Sequence, residues 1–279
     1  MAEVIALVDY GAGNLHSVEN ALRKVGAHVT VTADPDVIRA ADRIVLPGVG
    51  SFKACAEGLH AEKGAVEAMH ERVFVGGAPF LGICVGMQLL ATRGLEHGET
   101  PGLGWIDGTV RLIEPTDTSV KVPHMGWNDV APLPHAHGHE VVAEGEAYFL
   151  HSYHFKVRHH EDVLAMTDHG GGLVAAVGRD NFLGVQFHPE KSQAYGLDLL
   201  SRFLEWSFVS CDTGVRKPDP RAYTGPAERL GVAPGECLFV DDRERNVAGA
   251  KAGGMDGHRF LGAEDLRAAL VARGLLEDA

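Results

Sequence analysis

Four short apolar runs open this chain, VIALVDY, HVTVT, RIVLPG and PFLGIC, and segments of helical period separate them. Strands joined through helices run parallel, because a parallel pair needs a crossover of a dozen or more residues. The pattern predicts an α/β fold: an open, mostly parallel sheet flanked by helices, with helices expected at Asn14–Val25 and Ser51–Arg72. Further strands are expected at AYFLHSYHF, VLAMT, LVAAVG and FLGVQFHP. The Gly-, Pro- and Thr-rich stretch from Gly98 to Val142 is expected to form shorter strands and loops against the main sheet.

The helical run GLDLLSRFLEW ends near Trp206 and would close a first domain, residues 1–206. Beyond it, FVS, PRAYTGPAERLG, ECLFVDD, NVAGAKAGG and HRF make a partial β-α-β-α-β tail, residues 207–279, with no Gly/Ser-rich or Pro-rich linker before it. Its 73 positions suffice for a partial sheet with an unpaired edge.

Charge excludes one class of partner. The net charge of -13 is placed unevenly: residues 1–206 hold 26 acidic and 15 basic side chains, and the tail holds 12 and 10. No nucleic acid is expected as a partner, since that affinity comes from clustered Lys and Arg. No apolar run has membrane-spanning length and the N-terminus lacks a basic leader, so no membrane segment is expected and the expected compartment is the cytoplasm. Cys55, Cys84, Cys211 and Cys237 form no CxxC pair, which fits free thiols.

In APFLGICVGMQLLATRG a strand ends at Cys84 and a helix is expected almost at once. Gly82-x-Cys84-x-Gly86 has the spacing of a nucleophile elbow, whose small flanking residues let the chain turn sharply. A helix N-terminus would lower a thiol's pKa and offer N–H groups to an oxyanion. A small buried core cysteine would fit the same letters. GVQFHPEKS supplies a possible partner: His188 and Glu190 stand two apart at the end of an expected strand, with both side chains on one side. By itself His-Pro-Glu is more often a surface turn than a catalytic pair. After a third strand, Pro47-Gly48-Val49-Gly50 makes a loop whose N–H groups are free to face a ligand, or an ordinary strand-to-helix turn.

With GICVGMQ and QFHPE the chain resembles the class I, triad-type glutamine amidotransferases, which have a flavodoxin-like fold. DYGAGNLHS, LPGVGSF, VPHMGWN and HSYHF narrow the resemblance to the glutaminase subunits of imidazole glycerol phosphate synthases, over about residues 1–206. Val85 departs from the Leu usual in that family. The resemblance implies Cys84 as nucleophile, His188 as base and acid, and Glu190 as its orienter. It implies an oxyanion hole from the backbone of Val49, Gly50 and Val85, and glutamine held by Gly50, Gln88, His151, Ser152 and Tyr153. It implies no cofactor, and ammonia passed to a TIM-barrel cyclase partner in a heterodimer of histidine biosynthesis. Asn14, Met125, Gly126 and Trp127 are the candidates for the docking face.

Weaker motifs point elsewhere. DYGAGNLHS lacks the third glycine of a dinucleotide loop, since His16 takes its place. His135, His137 and His139, and the group His151, His154, His159 and His160, lack nearby Cys or carboxylate partners, so no metal is expected in the main domain. The tail resembles the C-terminal part of haloacid dehalogenase-like hydrolases, with Lys217 matching the phosphoryl-steadying lysine and Asp241 and Asp242 the magnesium-binding pair. That family's Asp-x-Asp nucleophile motif is absent from the tail, and Asp34-Pro35-Asp36 fits a helix cap. Two further function classes remain open on sequence: a magnesium-binding, phosphatase-like module with the amidotransferase part as scaffold, and a non-catalytic assembly protein.

Overall fold

The computed structural model describes residues 3–117, 119–134, 141–206, 220, 223–224, 227, 232–241 and 243–276. The chain forms two compact units, Met1–Trp206 and Ser207–Ala279. In the first, β1 (Val4–Val8), β2 (His28–Thr32), β3 (Arg43–Gly48), β4 (Phe80–Cys84), β8 (His124–Pro132), β9 (Gly145–His151), β11 (Val163–Asp168), β12 (Gly172–Arg179) and β13 (Phe182–Val185) build a nine-stranded sheet. Its order is β2-β1-β3-β4-β13-β12-β11-β8-β9, parallel from β2 to β13 and antiparallel beyond. The β3 and β4 strands are buried along their whole length, as strands covered on both faces must be. Helices α1 (Leu15–Lys24) and α6 (Gln193–Glu205) pack together, and α2 (Pro35–Ala40), α3 (Phe52–Ala61) and α4 (Ala65–His70) form a second group. The α/β fold expected from sequence is the fold observed.

The expected helix over Ser51–Arg72 is in fact two helices. Ser51 caps α3 by accepting from Ala54 N–H at 3.2 Å, and Gly64, at φ 82°, turns the chain left-handed before α4. A π-helical turn, Glu71–Val75, comes next, and Asn181 Nδ2 donates to the Val73 and Ala78 carbonyls at 2.9 and 2.7 Å around it. AYFLHSYHF is likewise two strands. β9 ends at His151, and after Ser152 the chain enters β10 (Tyr153–Val157), in a four-stranded sheet with β7 (Ile106–Leu112), β5 (Ala91–Gly94) and β6 (Thr100–Pro101). The Gly98–Val142 stretch therefore supplies β6 and β7 to the small sheet and β8 to the large one.

Two anchors define the edges of this unit. Asp34 caps α2, accepting from Asp36 N–H at 2.9 Å, as its sequence suggests. The guanidinium of Arg43, 4% exposed, reaches from β3 to the last carbonyls of α6, donating to Phe203 at 2.9 Å and Trp206 at 2.6 Å while its Nε meets Glu3. Cationic donors suit the unpaired carbonyls at a helix C-terminus.

In the second unit, β14 (Leu238–Asp241) and β15 (Asp256–Arg259) pair in parallel across α7 (Glu244–Ala252), and α8 (Ala263–Ala272) comes after them. Tyr223, Phe239, Ala250 and Met255 pack as its small core. FVS, most of PRAYTGPAERLG, Cys211 and Lys217 lie outside the described residues.

Candidate active site

Strand order reverses between β1 and β3, and the loops leaving the carboxyl ends of β1, β3, β4 and β13 converge beside that point, where open α/β sheets place their sites. A cavity of about 660 Å³ lies there. Asn14, Val49, Gly50, Cys84, Val85, Gln88, Glu96, His151, Ser152, Tyr153 and His188 all line it. The structure thus brings together residues that the sequence scatters over more than 170 positions.

Cys84 closes β4 at φ 55° and ψ -110°, a left-handed conformation that costs a residue with a Cβ about 1–3 kcal/mol. The turn is sharp because glycine backbones interlock beneath it. A methyl on Gly86 would overlap the Leu46 carbonyl oxygen, and one on Gly48 would stand 2.7 Å from Gly86 N. The next helix, α5 (Val85–Gln88), is a single turn, and the chain re-enters a strand at Ala91. The expected dipole contribution is correspondingly small, since a macrodipole is the sum of many aligned peptides. What the turn does offer is N–H groups close to the sulfur.

His188 and Glu190 do not extend a strand. β13 ends at Val185, and His188 caps a 3₁₀ turn, Pro189–Lys191, that brings the imidazole to the cavity with Glu190 buried beside it. Ser192 locks this turn, donating to the His188 carbonyl at 2.7 Å and accepting from Tyr148 N–H at 2.9 Å. His188 Nδ1 meets Glu190 Oε1 at 2.9 Å, with side chains 3% and 1% exposed. Burial opposes a charge on His188, yet its interactions with Cys84 and Glu190 prevail and raise its pKa to about 10. Gln186, fully buried and given no role by the sequence, donates to Cys84 Sγ at 3.7 Å. Its signal was the leading letter of QFHPE.

Gln88 Nε2 donates to the Tyr153 carbonyl and to Gln186 Oε1, each at 3.0 Å. The same carbonyl ends a second chain of donors: Asn128 Nδ2 to His124 Nε2 at 3.0 Å, His124 Nδ1 to His151 Nε2 at 3.0 Å, and His151 Nδ1 to Tyr153 O at 2.8 Å. Because Asn128 Nδ2 can only donate, the direction of every later link and both neutral tautomers are determined. Burial, helped by nearby His169, lowers the pKa of His124 to about 4, and burial lowers that of His151 to about 3. His151 is thus fixed as a neutral wall of the cavity. Glu96, which sequence reasoning passed over, accepts from Phe52 N–H at 2.6 Å and presents the carboxylate of the cavity.

The Pro47–Gly50 loop forms the roof. β3 and β4 pair in parallel through Gly48–Cys84, which brings the loop beside the elbow. Asn14 precedes α1 without capping it and borders the cavity. Met125 and Trp127, 64% and 47% exposed, project from β8 on either side of Gly126.

Among the described residues no three His, Cys, Asp or Glu converge as metal ligands. His135, His137, His139 and Asp242 lie outside the described residues. Asp241 accepts from Arg243 N–H and from Asn246 Nδ2, at 2.9 to 3.1 Å. Among the described residues no helix is long and apolar enough to cross a membrane.

The family profile for class I glutamine amidotransferases matches residues 6–205, and one for haloacid dehalogenase-like hydrolases matches residues 185–254. An imidazole glycerol phosphate synthase subunit HisH of Zymomonas mobilis is 54% identical over 209 residues, covering 74% of this chain and 97% of that protein. The protein of the same name from Caulobacter vibrioides is 53% identical over 211 residues, 73% and 99% of the two chains. Among solved structures, a glutamine amidotransferase aligns with TM-score 0.55 and 22% identity over 72% of this chain and 97% of its own. PurLQS of Thermotoga maritima aligns with TM-score 0.53 and 18% identity over 74% and 98%. At those identities the two structures speak for the fold.

Proposed function

The chain belongs to the class I glutamine amidotransferase family, and from that membership we propose that it is the glutamine-hydrolysing subunit of an imidazole glycerol phosphate synthase. It releases ammonia to a cyclase subunit in histidine biosynthesis. The observation that carries the reading is a strained cysteine at a cavity floor beside a buried His–Glu pair.

Each side chain then has a task. Cys84 Sγ attacks the side-chain amide carbon of glutamine, with its proton passing to His188. His188, kept charged by its two neighbours, protonates the departing nitrogen as ammonia leaves and the thioester forms. Water, deprotonated by His188, opens the thioester to glutamate and returns the proton to sulfur. Glu190 holds the imidazole in place and favours its charged form. Glu96 is placed to receive the substrate's α-ammonium, and the Ser152–Tyr153 backbone to receive its carboxylate.

Oxyanion stabilisation is the step at which a partner would switch the site on. If the Gly48–Val49 peptide points its carbonyl into the site before the cyclase docks, the hole holds an acceptor where it needs a donor. A missing donor costs about 3–4 kcal/mol of barrier. Rotation of the Gly48–Val49 peptide would present Val49 N–H in its place, and docking of the cyclase on the face bearing Met125, Trp127 and Asn14 is the proposed trigger. A TIM-barrel form for that subunit and a cytoplasmic setting belong to the same reading.

Residues 207–279 we read as a separate module that carries half of a phosphatase-like site without its nucleophile. The test is ammonia release from glutamine by the full chain and by residues 1–206, each with and without a cyclase subunit. The reading requires activity that rises with the cyclase and disappears in Cys84→Ala; activity surviving that substitution would refute it.

A further inference from the structure

Two buried side chains that the chemistry does not use hold the Pro47–Gly50 loop from beneath. Tyr10, 3% exposed, donates its hydroxyl to the Pro47 carbonyl at 2.6 Å. Cys55, fully buried on α3, donates its thiol to the Val49 carbonyl at 3.3 Å. Burial first of all holds both groups protonated, raising Tyr10 and Cys55 above their ordinary ranges. Both therefore remain donors throughout the neutral range.

The contact is close on each side. A methyl on Gly48 would stand 2.9 Å from Tyr10 Oη, and one on Gly58 of α3 would stand 2.7 Å from the Tyr10 carbonyl. No bulkier residue at either position leaves room for the tyrosine where it lies.

The two tethered carbonyls belong to the peptides on either side of Gly48–Val49. A peptide between two fixed neighbours turns only by opposed rotations about the preceding ψ and the next φ, which leave the flanking carbonyls where they are. Glycine at 48 tolerates such a rotation because it lacks a Cβ. Without the tethers, the whole roof would share the motion and a productive oxyanion geometry would be one arrangement among many.

We propose that Tyr10 and Cys55 are positioning residues that clamp the Pro47 and Val49 carbonyls, so that switching the site on turns the Gly48–Val49 peptide alone; this rests on the glutaminase reading. The clamp acts on the height of the barrier rather than on glutamine binding, because neither side chain lines the cavity. The loss of one neutral hydrogen bond corresponds to roughly a tenfold effect.

The test uses the full chain with a cyclase subunit. Tyr10→Phe and Cys55→Ala are expected to lower cyclase-stimulated glutaminase kcat roughly tenfold with KM for glutamine changed less than about twofold. Cys55→Ser, which keeps a donor for the Val49 carbonyl, is expected to recover most of the loss. In the isolated chain, amide hydrogen exchange over residues 47–52 is expected to quicken in Tyr10→Phe and Cys55→Ala while the rest of the sheet is unchanged. Variant kcat within twofold of the parent, Cys55→Ser falling as far as Cys55→Ala, or unaltered exchange over 47–52 would each overturn the clamp. If the parent chain itself hydrolyses no glutamine with the cyclase present, the glutaminase reading falls, and the exchange measurement alone decides the clamp.

Discussion

His188 Nδ1 stands 2.9 Å from Glu190 Oε1 across one intervening proline, and both side chains are sealed from solvent. Among the described residues no hydrogen-bond partner meets the second, buried oxygen of Glu190, so the carboxylate's charge is directed at the imidazole. Glu190→Gln keeps the shape and removes that charge. Its glutaminase kcat is expected to fall roughly 10²–10⁴-fold with KM little changed, as read by steady-state assay with the cyclase; a loss under threefold would mean that Glu190 does not orient the base.

Gly86→Ala forces a methyl onto the Leu46 carbonyl oxygen, a backbone atom that cannot step aside. The variant is expected to lose about 3 kcal/mol of stability. Urea unfolding followed by tryptophan fluorescence reports it cleanly, because Trp105, Trp127 and Trp206 all lie in the first unit. An unchanged midpoint would show that the elbow can relax.

Acid should destabilise the first unit through its neutral histidines. His124 and His151 titrate near 4 and 3 in the fold, below the ordinary histidine value. Between about pH 6.5 and those values the unfolded chain binds protons that the folded chain refuses, so stability falls as pH falls, by on the order of 1 kcal/mol per pH unit for the more buried His151. His188 has the opposite sign: its contribution is complete below its unfolded pKa and is lost as pH rises toward 10. Urea midpoints measured from pH 8 to pH 4.5 should drop on the acid side. The drop should lessen in His151→Asn, and a drop of equal size in that variant would assign the effect to other groups.

Asp34 separates two interpretations of one tripeptide. As the cap of α2 it is worth about 1 kcal/mol of stability, so Asp34→Ala should lower the urea midpoint by that amount and leave glutamine hydrolysis unaltered. A measurable phosphatase activity of the parent chain, lost in this variant, would reverse the assignment.

The strands and most helices were legible because their apolar runs end at Gly, Pro or a capping side chain. Misreadings arose where the residue types carry no break. Apolar spacing runs unbroken through Gly64, and nothing in AYFLHSYHF announces that Ser152 passes the chain from one sheet to another. Cys84, His188 and Glu190, the proposed nucleophile, base and orienter, are legible because each sits in a compact motif. Glu96 belongs to no motif, and the contact of Gln186 with Cys84 exists only once β13 has paired with β4. The pairing of His124 with His151 is similarly a product of register, opposite each other on β8 and β9.

Arg43 fastens the end of α6 from inside the sheet, holding the Phe203 and Trp206 carbonyls that a terminal helix would leave to fray. The closing carbonyls of that helix are therefore satisfied from within the first unit, so a chain cut after position 206 keeps the donor of Phe203 and Trp206 in place.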